Sequence, residues 1–311
     1  MDKENQTSGL SFLLLGFQNS RIINELLFVP LLWINILTLL GNFLIIILVV
    51  TVPALRSPMY VLLSQLSVSD VLLSTTITPN TLWLLLNGGG TISLTGCITQ
   101  FYIYGVSAGS ECFFLTVMSY DRYLAICSPL HYVSIMDFRL CLYMSLCSWG
   151  LSFILNLVMI LLTFNLQFCG PFVIDHYFCD FAPLIKLSCT DYKTVELTDI
   201  ILLIPFILFP FCFIIYTYIS IGLAILRISS TEGRHKAFST CSSHLIVVCM
   251  YYGTMIIVYM VPSKQHNLNT KKMLSLLYTV GTPFSNPIVY SLRNNEIKFA
   301  LWKFSKQIFL H

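Results

Sequence analysis

Long stretches free of charge alternate with short polar segments along this chain. A helix crossing a bilayer needs about 20 apolar residues, and seven runs reach that length: 26–50, 58–90, 97–120, 140–163, 200–226, 237–261 and 273–292. Asp70 interrupts the second and Glu111 the third. The segments 51–57, 88–96, 128–139, 227–236 and 262–272 are short, and only 164–199 is long. No linker or repeat marks a second folded unit. The pattern predicts an all-α membrane protein with one seven-helix domain over 1–311. In it, 1–25 forms an extracellular N-terminus, 26–292 the helices and 293–311 a cytoplasmic tail. Within that tail Ile297, Leu301, Phe304 and Ile308 recur at helical spacing against Lys298, Lys303 and Lys306. This spacing predicts an amphipathic helix on the membrane surface.

Composition agrees, since 56% of residues are hydrophobic and only 10% charged. Soluble domains carry about 25% charged residues. The net charge of +3 suggests no nucleic-acid partner. The polar start MDKENQTSGL makes a poor signal peptide, so the first apolar run is expected to act as its own targeting signal. With the N-terminus outside, the inner segments hold ten Lys and Arg residues and the outer ones seven. That excess follows the positive-inside trend. Asn5-Gln6-Thr7 is a glycosylation acceptor, usable only on the lumenal side. Both clues put the N-terminus outside.

Of eleven cysteines, seven fall in or beside the apolar runs and act as small apolar residues. Cys97, Cys169, Cys179 and Cys189 fall on the expected outer face, where disulfides persist. Four cysteines allow three pairings. A Cys97–Cys179 bridge would pin the long loop over the bundle, with Cys169–Cys189 closing a smaller loop inside it. Spacing alone does not choose among the pairings.

The run MSYDRYLAIC at 118–127 places an acid–base pair, Asp121–Arg122, at the inner end of the third apolar run. Charges are expensive there, and such a pair suits a latch that opens when helices move. Seven spans and this Asp-Arg-Tyr ending resemble the rhodopsin-like (class A) G-protein-coupled receptors. The finer resemblance, over nearly the whole chain, is to vertebrate olfactory receptors. It rests on Leu40-Gly41-Asn42, Pro58-Met59-Tyr60, LSVSD at 66–70, MSYDRYLAIC, Thr217-Tyr218, KAFSTCSSH at 236–244 and PFSNPIVYSLRN at 283–294. Ser119 stands where the family usually has alanine, and Thr217 where it more often has serine. KAFSTCSSH is the most discriminating, because other rhodopsin-like receptors lack it. Leu14-Leu15-Gly16-Phe17 looks like the tetrapod-type (class II) branch.

The resemblance implies an odorant receptor at the plasma membrane that binds a small volatile molecule. It also implies activation of a stimulatory-type heterotrimeric G-protein, raising cyclic AMP. It pairs Cys97 with Cys179, leaving Cys169 and Cys189 as a second bridge. Its activation switch maps onto Asp121, Arg122, Tyr123, Tyr218, Asn286, Pro287 and Tyr290, with Arg122 helping to form the cavity for the α-subunit's C-terminal helix. His235, Lys236 and the residues from Ser239 to His244 are candidates for G-protein contact or for holding the inactive state. Asp70 and Glu111, with Asn42 and Asn286, are expected to form a polar centre that holds a sodium ion or shares a proton. No other cofactor and no metal site is expected.

Helical turns counted outward from Arg122 place Tyr104, Gly105, Ala108, Gly109 and Cys112 on one inward stripe. Tyr252, Met255, Ile256 and Tyr259 share a face of the sixth helix by their spacing. Leu203 and Phe206 join them from the fifth, Leu276 and Thr279 from the seventh. Such apolar spacing is also that of plain core, and the family resemblance is what makes it a ligand site. The expected lining carries no charge and suits a largely apolar ligand. Binding should be weak, since ligands of about 10–15 heavy atoms gain limited energy per atom.

Two enzyme-like signatures carry no chemistry here. Gly105-Val-Ser107-Ala-Gly109 spells a nucleophile elbow, which needs a strand–turn–helix setting and instead lies inside a membrane run. His176-Tyr-Phe-Cys179-Asp180 resembles a metal-ligand cluster, but a disulfide-bonded Cys179 has no thiolate to offer. The chain is expected not to be an enzyme. The rival reading is a seven-helix transporter or proton pathway through Asp70 and Glu111. A retinal pigment is disfavoured, because Lys271 and Lys272 fall at the outer edge of the last run.

Overall fold

A computed structural model describes residues 11–260 and 268–309. The seven expected spans form a bundle: α1 Arg21–Thr51, α2 Pro58–Asn87, α3 Leu94–Cys127, α4 Phe138–Phe164, α5 Lys193–Arg227, α6 Thr231–Met260 and a seventh, α7. The first five and the apolar part of α6 are each long and apolar enough to cross a membrane. α7 comes in three pieces, Leu268–Leu276, a π-helical turn Leu277–Gly281 and Thr282–Arg293. A second π-turn, Ile204–Leu208, interrupts α5. A further helix, α8 Asn295–Phe309, follows α7.

The bundle is apolar outside and partly polar inside, as lipid requires. On α1, Trp33 and Leu40 are exposed while Thr38 and Asn42 are buried. On α2, Ser64, Ser67, Ser74, Thr78 and Thr81 are buried, and α4 buries Ser145, Ser148, Ser152 and Asn156. Small hydroxyl residues let helices approach closely and bond across or within helices. Trp149 Nε1 donates to Gln65 Oε1 at 3.0 Å, tying α4 to α2. Helix ends follow local chemistry. Ser93 and Asp137 cap α3 and α4 by accepting the N–H of Gly96 and Leu140, and Gly88, at φ 69°, ends α2.

Several boundaries differ from the sequence reading. α5 starts at Lys193, so Glu196 and Asp199 lie on a helix rather than in the outer loop. α6 starts at Thr231, leaving three residues of the expected 227–236 segment between the helices. The sequence runs end where charge begins, but helical hydrogen bonding continues past the first charged residues. In α8, Ile297 and Ala300 are buried against the bundle, whereas Phe299 and Trp302 are exposed. Of the expected stripe, the side chains of Phe304 and Ile308 lie outside the described residues, as does the acceptor Asn5.

The outer end carries a lid that the apolar pattern did not announce. β1 Ser11–Leu14 pairs antiparallel with β2 Gly90–Ser93 and parallel with β3 Val173–Ile174. Phe12 and Leu14 point into the outer core and are buried. Cys97–Cys179 staples the long loop to the top of α3, and Cys169–Cys189 closes a smaller loop within it. Lys272 falls at the outer end of α7, as expected, but is buried (1% exposed) under this lid. It forms an ion pair with Asp175 and donates to the Gly16 carbonyl at 2.9 Å. The Tyr177 hydroxyl meets Thr279 Oγ1 at 2.9 Å. N-terminal segment, long loop and α7 are thus bonded into one cap.

Candidate functional site: an outer cavity, a buried acidic centre and an inner latch

Beneath the lid lies a cavity of about 220 Å3. Tyr104, Gly105, Ala108, Gly109 and Cys112 line it from α3, Leu203 and Phe206 from α5, and Met255 from α6. The two glycines matter sterically. A Cβ on Gly105 would stand 2.1 Å from Asn156 Oδ1, and one on Gly109 would stand 2.5 Å from the Phe206 ring.

The other expected contacts lie elsewhere. Ile256 is 48% exposed and, with Tyr252, lines an adjacent crevice of about 440 Å3 between α5 and α6. That crevice faces outward, because Ile200, Ile204 and Leu208 along it are exposed. Tyr252 is buried, its hydroxyl 3.1 Å from Cys112 Sγ. Leu276 packs in the outer core, Thr279 is held by Tyr177, and the Tyr259 side chain lies outside the described residues. In the place of Leu276 and Thr279, Tyr278 faces the cavity. A π-turn, Leu277–Gly281, runs through this stretch of α7 and holds both Tyr278 and Thr279.

The lining also departs from the charge-free expectation. Asp180 and Asp199 face the cavity, together with Asn156. Burial raises the Asp180 carboxyl from its ordinary value, opposed by the Phe181 N–H and by the charge of Lys271. The available signal was Asp199 itself, an acid at the edge of a long apolar run. Asp180 owes its place to the loop staple, which one-dimensional periodicity does not encode.

Deeper in the bundle, Asp70 and Glu111 are both buried. Asn286 Nδ2 donates to Asp70 Oδ1 and Oδ2 at 3.1 and 3.0 Å and to Glu111 Oε1 at 3.2 Å. One amide therefore bridges two carboxylates, while its own Oδ1 has no partner among the described residues. Asn42 is not part of this centre. Its amide donates to the Thr38 and Pro283 carbonyls at 3.0 and 3.1 Å, tying α1 to α7. Pro287 packs against Gly41, where a Cβ would stand 3.0 Å from its ring.

At the inner end, Arg122 is ion-paired with Asp121, and its Nε donates to Asp121 Oδ2 at 2.9 Å. The Tyr132 hydroxyl donates to the other carboxylate oxygen at 2.8 Å. Tyr218 is engaged elsewhere, its hydroxyl 2.6 Å from His244 Nδ1. His244 Nε2 lies 3.0 Å from the Leu115 carbonyl, so these partners assign the proton to Nε2. Tyr290 is buried, with no partner for its hydroxyl among the described residues. Tyr123 is half-buried, with its ring beside Tyr120 and Tyr216. The arginine is thus held by its own helix, and the two tyrosines expected to receive it are not on it. A second inner network, unanticipated from sequence, joins the Tyr60 hydroxyl to Asn294 and Glu296 at 2.8 to 3.0 Å. His235 is exposed, and the Lys236 side chain lies outside the described residues.

A capped outer cavity over a seven-helix bundle, with an ion-paired arginine at its inner mouth, describes a multi-pass membrane receptor of the rhodopsin fold. The crystal structure of squid rhodopsin shares this fold with a TM-score of 0.72 at 15% identity, covering 94% of this chain and 87% of that one. The chain belongs to the olfactory receptor family, whose model, described as "Olfactory receptor", matches residues 31–307. Human olfactory receptor 10A7 is 45% identical over 96% of this chain and 94% of its own length. Human olfactory receptors 2M2 and 2G3 are 42% and 43% identical, each over 96% of this chain and over 86% and 97% of their own lengths. Members of this family are signalling receptors rather than enzymes, and so is this chain.

Proposed function

We propose that this chain is a plasma-membrane odorant receptor, with its N-terminus outside, that couples to a stimulatory-type heterotrimeric G-protein and raises cyclic AMP. The ligand is a small volatile molecule held in the cavity beneath the lid. The carrying observation is that cavity and latch share α3. The helix that presents Tyr104 to Cys112 to the ligand presents Asp121 and Arg122 to the inner mouth. A ligand that binds the open state more tightly shifts the bundle by its differential affinity. Tyr218 and Tyr290 then receive Arg122, and its release from Asp121 opens the site for the α-subunit's helix.

The acidic centre lies between these two ends. A sodium ion there would find the carboxylates of Asp70 and Glu111 and the unpartnered Asn286 Oδ1. Without an ion, one proton shared between the acids relieves their mutual repulsion. Between this centre and the latch, Leu62, Leu66, Leu115 and Met118 pack into a buried apolar cluster. That packing opposes a continuous ion path and favours signalling over transport. Cells displaying the full chain test the proposal when scanned with diverse volatiles. A dose-dependent rise in cyclic AMP supports it. Verified surface display with ligand-independent ion flux and no cyclic AMP response would replace it with transport.

A further inference from the structure

We propose that the outer cavity takes a protonated amine carrying an apolar body, with Asp199 and Asp180 holding the ammonium group. This rests on the ligand-binding reading above and narrows its ligand class. The cavity-facing groups that can only accept a hydrogen bond are the carboxylates of Asp180 and Asp199 and the Asn156 Oδ1, while the Tyr104 and Tyr278 hydroxyls can accept as well as donate. Among the described residues only Asp180 Oδ1 of these two carboxylates accepts a hydrogen bond, from the Phe181 N–H at 2.9 Å.

Asn156 supplies an independent sign of a missing donor. It is 8% exposed, its Nδ2 is committed to the Ser152 carbonyl at 2.8 Å, and its Oδ1 has no donor among the described residues. That oxygen is aimed at Gly105 on the cavity wall. Two nearby protein donors are used elsewhere: the Tyr251 hydroxyl on the Ala108 carbonyl at 3.0 Å and the Cys112 thiol on the Phe206 carbonyl at 2.9 Å.

Charge points the same way. Among the described residues no Lys, Arg or His side chain lines the cavity. The charges acting on Asp199 are those of Asp180 and Glu196, both of like sign. Lys271 acts on Asp180 without lining the cavity. Neighbouring carboxylates repel unless a cation sits with them, and an ammonium group brings three donors to three acceptors. Aromatic faces complete the site, with Phe101 stacked on Phe181 at 5.9 Å and Tyr104 meeting Tyr278 at 5.8 Å. Such faces attract a desolvated cation. Deeper, Leu203, Phe206 and Met255 receive the apolar body. An alcohol of the same skeleton would leave a carboxylate unpaired, and a carboxylic acid would be repelled.

The test uses the full chain, purified and also displayed on cells, with n-heptylamine, 1-heptanol and heptanoate as matched probes. Ligand-induced thermal stabilisation reads binding without a G-protein. Heptylamine is expected to stabilise the chain at concentrations at least tenfold below heptanol, with heptanoate inert. Asp199→Asn should weaken the amine at least tenfold and heptanol by much less, so that the amine's advantage is lost. Asp199→Lys should transfer the preference to heptanoate, which shows that the variant still folds and binds. Stabilisation by heptanol alone, by none of the three, or by amine equally in wild type and both variants would overturn the proposal. Cyclic AMP in the displaying cells reports separately on coupling. An amine that stabilises the chain but raises no cyclic AMP would leave the amine site standing and remove the coupling reading.

Discussion

The buried pair beneath the lid predicts an asymmetry between two substitutions of the same ion pair. Lys272 is 2% exposed at its side chain, and its partner Asp175 is 34% exposed. Asp175→Ala leaves a buried ammonium whose one remaining partner among the described residues is the Gly16 carbonyl, 2.9 Å away. Breaking a buried pair this way costs about 3–5 kcal/mol, and the retained Gly16 bond puts the cost near the lower bound. Lys272→Met instead leaves Asp175, which water reaches, and an unpaired Gly16 carbonyl. That loss is about 1–2 kcal/mol, and the methionine replaces the apolar stem. The difference, about 1–2 kcal/mol, amounts to roughly tenfold in the folded population. Thermal denaturation of the purified chain, with surface display as a second readout, compares the two variants. Asp175→Ala should be clearly the worse, and the double variant should recover toward Lys272→Met. Equal loss, or a worse Lys272→Met, would refute the argument that the lysine's burial sets the cost.

Three further outcomes follow. His176 is buried, and burial together with the Lys272 charge lowers its imidazole from 6.5 to about 3. The unfolded chain therefore binds the proton first, so stability is full above about pH 6.5 and falls toward pH 3. About 2 kcal/mol should be lost by pH 5, and His176→Gln should flatten that dependence in thermal denaturation. Gly105→Ala collides with Asn156 Oδ1, an overpacking of about 1–3 kcal/mol. It should cost at least tenfold in ligand potency while surface display persists, as ligand titration will show. Cys179→Ser removes the staple between α3 and the long loop, worth about 2–5 kcal/mol, and should block surface delivery as measured by antibody staining of intact cells.

What was legible in the sequence, and what was not, divides along physical lines. Membrane spans advertise themselves by the absence of charge, so all seven were placed to within a few turns of the observed helices. The α3 stripe from Tyr104 to Cys112 was also legible, because α3 is regular over its whole length and the count from Arg122 holds. On α6 that logic fails, since lipid and ligand both select apolar side chains. Periodicity could not tell Met255, which reaches the cavity as well as the outward crevice, from Ile256, which lines the crevice alone. On α7 no anchor of the kind Arg122 gives α3 fixes a face, and a π-turn interrupts the regular helix where Tyr278 rather than Leu276 or Thr279 reaches the cavity. The lid was hidden because β1 pairs with strands far away in sequence, Leu13 with Thr91 and Val173, and its residues look like any short Leu-rich stretch. Asn42 was grouped with the acids as a polar residue in an apolar run, yet its amide finds backbone carbonyls instead.

The measurement that bears most directly on the central claim is nucleotide exchange on a purified stimulatory G-protein heterotrimer. Membranes bearing the wild-type chain would be compared with membranes bearing Arg122→Ala, each with a ligand that stabilises the purified receptor. The account predicts ligand-dependent exchange for wild type and none for Arg122→Ala, with ligand binding preserved in both. Undiminished exchange by the Arg122→Ala chain would contradict it.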